Sequence, residues 1–202
     1  MKIIKFTLFL LGIVSLTSCA SGYKMIEPKS INYISKNEND DVKLEYKYDL
    51  LKKKYAKKED KKGIKLVAVK ITNNSDRDLM LGRDLNLVYE NGRTIHILED
   101  EKVFKALKQS PASHLFYLLL TPVTFNTTDS NGYTTISFPI GVIIGPGLAG
   151  GNMIAAGSAN KKFKHEIQEY NIYGSVIKKG ETKYGLIGIQ ADTYDALKLS
   201  VQ

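Results

Sequence analysis

Few side chains in this sequence could take part in covalent or metal chemistry, and those few are scattered. The chain has one cysteine, Cys19, and three histidines, at positions 96, 114 and 165. A single cysteine excludes a disulfide framework and any cysteine-rich zinc or iron–sulfur site. The sequence motifs of serine hydrolases, zinc proteases and nucleotide-binding loops do not occur. We therefore predict no catalytic residues, no metal site and no cofactor, and we expect that the protein is not an enzyme.

Cys19 closes a segment that has the order of an export signal. Lys2 and Lys5 form a short basic start, and residues 6–16 are uncharged and mostly apolar. A run of this length is typical of the core of a signal peptide and is too short to cross a bilayer as a helix. We therefore predict that residues 1–18 are a signal peptide.

The end of this segment provides the most specific motif in the chain, Leu16-Thr17-Ser18-Cys19. The motif resembles the lipobox of exported bacterial lipoproteins. The resemblance implies transfer of diacylglycerol to the sulfur of Cys19, cleavage between Ser18 and Cys19, and acylation of the new N-terminus with a fatty acid such as palmitate. The alternative is an ordinary secretory signal that ends near a cysteine by chance.

Acylation at Cys19 has a physical consequence for the location of the protein. One acyl chain binds a membrane only marginally, whereas two or more chains anchor a protein stably. Ala20 follows the cysteine, and the aspartate that retains lipoproteins in the enteric inner membrane is missing. We expect a lipid-anchored protein of the cell envelope, with the outer membrane favoured over the inner.

Several short runs in the remaining chain have the pattern of β-strands separated by polar turns. Alternation with a period of two, or a compact apolar run, occurs at residues 30–34, 43–48, 65–71, 85–90, 93–98, 184–189 and 197–201. Asn91-Gly92 separates two of these runs, and this dipeptide is the strongest local signal of a β-hairpin. Many short strands with polar turns predict a β-sandwich.

The order of these strands is also familiar. Residues 67–75 read Val-Ala-Val-Lys-Ile-Thr-Asn-Asn-Ser, residues 177–189 lead through Lys-Lys-Gly-Glu-Thr into Gly-Leu-Ile-Gly-Ile, and the chain closes on Leu197-Lys198-Leu199. This arrangement resembles the immunoglobulin-like, telokin-like sandwich of exported bacterial lipoproteins. The resemblance covers residues 30–98 and 172–201 and implies no catalytic or ligand-binding residues.

One long segment departs from that resemblance because it has almost no charge. Between Gln109 and Asn160 the only formal charge is Asp129. A polar turn at residues 126–132 divides the segment into a first arm, 115–125, and a second arm, 138–157. We predict a hydrophobic, glycine-rich helical hairpin whose membrane-contacting candidates are Leu115, Phe116, Leu118, Leu119, Leu120, Val142, Ile143 and Ile144.

Small residues in the second arm have the spacing that lets two helices approach closely. The pairs are Gly141 with Gly145 and Gly147 with Gly151, and they are the helix-packing candidates. Prolines at positions 122 and 146 predict that each arm is interrupted, so that neither is a spanning helix. Two interpretations remain open: a hairpin that enters the membrane without crossing it, and a helical subdomain packed on the open face of the sandwich.

The positive charge of the chain is a weak indication of an anionic partner. The net charge is +8, but only three of the 29 basic residues are arginine, and specific recognition of nucleic acids depends on arginine. Seven lysines lie within residues 51–62. We interpret that stretch as a solvated loop, or as charged residues that keep an edge strand from pairing with other chains. The alternative is a patch that contacts anionic lipid. We predict no nucleic-acid partner.

These observations predict a mainly β chain with a helical insertion. The expected organisation is a signal peptide (1–18), a tether (19–29), a sandwich (30–98 and 172–202) and an insertion (99–171). The first functional hypothesis is a membrane-anchored envelope lipoprotein that acts as a non-enzymatic structural or interaction module. The alternative is an oligomeric membrane-assembly or pore-type component that uses the hairpin at 109–160. The expected partners are membrane lipid and either an unidentified envelope protein or further copies of this chain.

Overall fold

The structure of the protein is a computed structural model, which describes residues 20–39 and 41–202. The predicted cleavage and lipidation at Ser18 and Cys19 lie outside the described residues. The described chain is mixed, with about 31% strand in several sheets, about 32% helix and one long apolar helix. The strand-rich part of the prediction is confirmed, whereas the helical content is larger than a mainly β chain would have.

The elements follow one another in this order. The strands are β1 (Ser35–Asn39), β2 (Val42–Lys47), β3 (Ile64–Asn73), β4 (Leu79–Met80), β5 (Leu85–Tyr89), β6 (Ile97–Leu98), β7 (Phe125–Thr128), β8 (Thr134–Phe138), β9 (Val176–Ile177), β10 (Thr182–Gln190) and β11 (Leu197–Val201). The α-helices are α1 (Lys54–Lys62), α2 (Asp100–Leu107) and α3 (Gly141–Glu169), and 3₁₀ helices form at Pro28–Ser30 and Pro111–Leu120.

The largest sheet has five antiparallel strands in the order β1-β2-β3-β10-β6. Its central strand, β3, is buried along most of its length. In β2 the buried side chains of Val42, Leu44 and Tyr46 alternate with half-buried polar ones, as the period of two predicts. The predicted strand at residues 30–34 is wrong, because β1 begins only at Ser35, where its pairing with Tyr46 of β2 starts.

A second sheet, formed by β5 and β11, contributes to the same hydrophobic core as the first. The predicted turn at Asn91-Gly92 is confirmed: Gly92 has a φ of 81°, and the N–H of Tyr89 donates to the carbonyl of Arg93 over 2.9 Å. The returning chain then leaves β5, since β6 pairs with β10. The prediction of a hairpin is therefore correct near the turn, but beyond it β6 pairs with β10 instead of β5.

The lysine-rich stretch forms a helix, so its interpretation as a loop is wrong. Helix α1 buries Tyr55 and Glu59 and leaves most of its lysines in solvent. Gly63, with a φ of 58°, ends the helix. The N–H of Leu66, at the start of β3, donates to Oε1 of Glu59 over 2.7 Å. Tyr55 and Glu59, one turn apart, thus form the buried face of α1. This face is hard to recognise in the sequence because most of the neighbouring residues are lysines.

The chain divides into two compact units. One comprises residues 20–22 and Gln109–Ala159, and the other comprises Tyr23–Lys108 and Asn160–Gln202. We call them the arm unit and the sheet unit. The predicted insertion at 99–171 is thereby divided, because α2 and the last part of α3 belong to the sheet unit.

The buried carboxyl of Glu59 predicts a pH dependence of stability in the sheet unit. Burial raises its pKa from 4.5 to about 7, against the opposing effect of the hydrogen bond from Leu66 and the charge of Lys65. Because folding favours the protonated form, the stabilisation is complete below pH 4.5 and is lost as the pH rises through about 7. We expect wild type to lose about 3 kcal/mol relative to Glu59→Gln across this range, measured by urea unfolding. Parallel pH profiles for the two proteins would contradict this assignment.

Candidate lipid-facing surface

The second arm of the uncharged segment is one continuous helix, so the predicted break at Pro146 is wrong. Helix α3 runs from Gly141 to Glu169 with Pro146 inside it. A proline removes one backbone hydrogen bond, here the one to the carbonyl of Val142, and its ring crowds that carbonyl. The glycines on either side carry no side chain that would add to the crowding. The N–H of Ile144 still donates to the carbonyl of Ile140 over 3.0 Å, which holds the first turn.

The polar turn between the arms is a β-hairpin, which corrects the prediction of a wholly helical hairpin. Strands β7 and β8 pair with each other, with Phe125 opposite Phe138. The carboxylate of Asp129 accepts from the N–H of Asn131 and from that of Tyr133, each over 2.9 Å. Threonines favour strands, and the turn Asp129–Gly132, in which Gly132 has a φ of 85°, joins the two strands. The first arm, 115–125, is the second half of the 3₁₀ helix Pro111–Leu120 followed by a turn and the first residue of β7, rather than an α-helix.

The two arms approach each other through glycine. A Cβ atom on Gly141 would lie 2.0 Å from the carbonyl oxygen of Leu120, and one on Gly145 would lie 3.0 Å from Oγ1 of Thr121. The N–H of Gly141 also donates to the carbonyl of Val123 over 2.8 Å. These two helix-packing candidates therefore allow close contact between arms of the same chain.

The other two helix-packing candidates face away from the first arm. Among residues 20–39 and 41–202, no atom would lie within 4 Å of a Cβ on Gly147 or Gly151. The small-residue spacing of the sequence thus belongs to two different faces of α3. The face with Gly141 and Gly145 contacts the first arm, and the face with Gly147 and Gly151 has no neighbour in the described part of the chain.

The membrane-contacting candidates lie on the surface of the arm unit. Seven of the eight are exposed, including Phe116 at 75%, and Leu120 is half-buried. The structure adds exposed apolar side chains that the sequence analysis did not select: Val123, Phe125, Tyr133, Ile136, Phe138 and Ile154. An exposed surface with this many large apolar side chains is typical of sites that contact a membrane or another protein. The single charge of Asp129, in the hairpin turn, is the only one in this segment.

Helix α3 supplies much of this surface. Its buried positions in the arm unit are small residues in one stripe: Gly141, Gly145, Ala149, Ala156 and Ala159. By length and composition α3 could cross a membrane, a property that core helices of soluble proteins share. Only 22% of its most apolar window is buried, however, so α3 is not enclosed as a core helix would be.

Two uncharged polar side chains hold the start of the described chain on the arm unit. The N–H of Ala20 donates to Oδ1 of Asn152 over 2.6 Å. The N–H of Ser21 donates to Oε1 of Gln109 over 3.0 Å, and Nε2 of Gln109 donates to the carbonyl of Ser21 over 2.6 Å. We call Gln109 and Asn152 the polar collar. Residues 20 and 21, predicted as part of a tether, are thus bound to the arm unit.

The collar is not recognisable in the sequence, because amide side chains that bind backbone groups have no distinctive spacing. The one available signal was position, since Gln109 begins the uncharged segment and Asn152 is the first polar side chain of α3 after eleven apolar or glycine residues. In the sheet unit a third polar side chain, the buried Glu166, accepts from the hydroxyl of Tyr23 and, over 2.6 Å, from the N–H of Ile26. Burial and this carboxylate raise the pKa of Tyr23.

The remaining candidates for chemistry do not assemble into a site. His96 is exposed, His165 lies 3.3 Å from the carboxylate of Glu169 on the surface, and His114 is buried in the arm unit. Within residues 20–39 and 41–202, no three histidine, cysteine or acidic side chains are grouped so that they could hold a metal ion. No family model, curated protein or solved structure matches the chain.

The contact between the arms predicts different effects at two glycines of α3. Gly141→Ala places a Cβ against the backbone of the first arm and should destabilise the arm unit by about 1–3 kcal/mol. Gly147→Ala is the matched control, because its Cβ meets open space and alanine favours a helix. Hydrogen exchange of the Gly141 and Val123 amides should accelerate in the first variant only. Equal exchange in the two variants would show that the arms do not depend on this approach.

Proposed function

We propose that this protein is a lipid-anchored, non-enzymatic structural or interaction module of the bacterial cell envelope, and that its arm unit contacts membrane lipid. The lipobox-like motif at Cys19 supports the anchor, and Ala20 favours the outer membrane over the inner. The sheet unit is proposed to be an immunoglobulin-like sandwich. Two antiparallel sheets that share one core support this assignment.

One observation carries the lipid contact: the exposed apolar surface belongs to the unit to which Ala20 and Ser21 are bonded. Acylation of Cys19 would therefore attach lipid directly beside this surface. Burial of each leucine, isoleucine or phenylalanine side chain gains about 1.5–3 kcal/mol. Because the segment carries only one charge, almost no desolvation of ions opposes this gain.

The chemistry of the surface limits the possible partners. Its candidate contacts are aliphatic and aromatic, so they fit acyl chains or the apolar face of an envelope protein. Nucleic acid is not a partner in this proposal, because arginine occurs only at positions 77, 83 and 93 and the arm unit is nearly uncharged.

A second candidate function is an oligomeric membrane assembly. It is favoured by Gly147 and Gly151, one turn apart on α3, where a Cβ would meet nothing within 4 Å. Small residues at this spacing let helices of separate molecules approach closely inside a membrane. The proposed anchor is common to both functions.

The lipid contact predicts membrane binding without the anchor. Protein that begins at residue 19 and carries Cys19→Ala, and so lacks the apolar residues 6–16, should still sediment with vesicles at high salt, because apolar burial does not depend on ionic strength. Adding Phe116→Glu and Ile143→Glu should release the protein from the vesicles, because insertion of the surface into lipid would then require two charged carboxylates to leave water. Ile34→Glu is the matched control, because Ile34 is exposed at 76%, like Phe116 at 75%, but lies in the sheet unit. Cys19→Ala protein that stays wholly in solution at low salt would refute the lipid contact.

The oligomeric alternative predicts a different outcome at the open face of α3. Gly147→Ile should reduce association in detergent while leaving the secondary structure unchanged, because a branched side chain would separate the two helices. Multi-angle light scattering of detergent-extracted protein measures the mass. A monomer at every concentration of wild type would exclude this second function.

A further inference from the structure

We propose that the arm unit lies within the single leaflet that holds the acyl chains of Cys19, and that α3 does not cross the bilayer. This inference rests on the proposed function and adds the leaflet and the depth. Four features of the arm unit support it: the collar, the length of the arms, the hairpin and the composition of α3.

The collar fixes the level of the anchor on the arm unit. Consecutive Cα atoms are about 3.8 Å apart, so Cys19 is one residue from the hydrogen bond between Ala20 and Asn152. No flexible spacer separates the anchor from the apolar surface. The glycerol of the lipid must therefore lie close to Asn152, and the headgroup level of that leaflet passes near the collar.

The apolar length beyond the collar is too short to cross the bilayer at any tilt. Helix α3 rises about 16 Å from Asn152 to Gly141 at about 1.5 Å per residue. The hydrocarbon core of a bilayer is about 30 Å thick, so one leaflet provides about 15 Å. The arms alone do not reach the opposite headgroups.

The β7–β8 hairpin, at the end of the arms that is remote from the collar, is evidence against arms that run along the membrane normal. Among the described residues, β7 and β8 form a sheet of two strands, and every residue of it except the half-buried Thr127 is exposed. Their outer N–H and carbonyl groups therefore need water or headgroups as partners, because open strand edges do not occur in hydrocarbon. If the arms ran along the membrane normal, these edges would lie near the bilayer centre. Both ends of the arm unit therefore remain at headgroup level, and the arms lie along the leaflet between them.

The composition of α3 fits immersion beneath the headgroups. From Gly141 to Gly151 it has no polar side chain on any face, unlike an amphipathic helix that lies half in water. A helix is about 10 Å across and fits inside a leaflet of about 15 Å. The hairpin is amphipathic, since Phe125, Phe138 and Ile136 share the face opposite Asn126 and Ser137, and this arrangement suits the interface.

Cysteine labelling in sealed vesicles tests the inference on the full acylated protein. The sulfur of acylated Cys19 is a thioether, so an engineered cysteine is the only free thiol in the chain. Ser130→Cys reports the hairpin turn, Ile143→Cys reports the arm, and Lys57→Cys on the sheet unit is the solvent control. The acylated protein is added to preformed vesicles and labelled with a membrane-impermeant maleimide, before and after the vesicles are opened by freeze–thaw in the presence of the probe.

We expect the cysteine of Ser130→Cys to react as completely before the vesicles are opened as after, as that of Lys57→Cys does. The cysteine of Ile143→Cys should react far less than that of Lys57→Cys in both conditions. Labelling of Ser130→Cys only after opening would show that the arms cross the bilayer. That result overturns the inference and leaves the proposed lipid contact intact. Full labelling of Ile143→Cys on vesicles would overturn both, because the arm would then lie in water.

Discussion

The hydrogen bonds between the polar collar and the start of the chain are the constraint on which this account depends. Ala20 and Ser21 would have no fixed position without the amides of Asn152 and Gln109. An anchor at Cys19 would then hold the fold at a distance set by a flexible segment. With these bonds, the residue next to the proposed anchor is held on the unit that exposes leucine, isoleucine and phenylalanine. Nδ2 of Asn152 also donates to the carbonyl of Leu148 over 2.8 Å, one turn earlier in α3.

The contrast between the two units makes the exposed surface significant. The sheet unit buries its apolar side chains efficiently, with Leu44, Ile71 and Leu199 almost fully inaccessible. In the arm unit, His114 and Tyr117 are buried, but α3 buries only glycine and alanine, and most of the large aliphatic and phenylalanine side chains are exposed. Its glycines bring the backbones of the arms together so closely that Cβ atoms would collide. The arms therefore pack through backbone and turn their large apolar side chains to the surroundings, which is the opposite of the arrangement in a water-soluble core.

The sequence predicted the elements whose signals are local. β3, β10 and β11 lie close to the expected runs, and the turn at Asn91-Gly92 depends only on residues that accept positive φ. It failed where tertiary contacts decide. Helix α1 looked like a loop because its lysines hide the inward pair Tyr55 and Glu59, and α3 looked broken because the supporting bonds around Pro146 are invisible in the sequence. The candidate side chains of the arms were identifiable from composition, but the collar was not, because its partners are backbone groups more than 80 residues away.

The position of the arm unit relative to the bilayer is the central claim, and neutron reflectometry of the acylated protein on a supported bilayer tests it most directly. With contrast matching, the profile of protein density along the membrane normal can be separated from that of the lipid. Our account requires protein density inside the hydrocarbon of the leaflet that holds the anchor and none in the opposite leaflet. Protein density that is confined to the water layer, with both hydrocarbon leaflets free of it, would contradict the account.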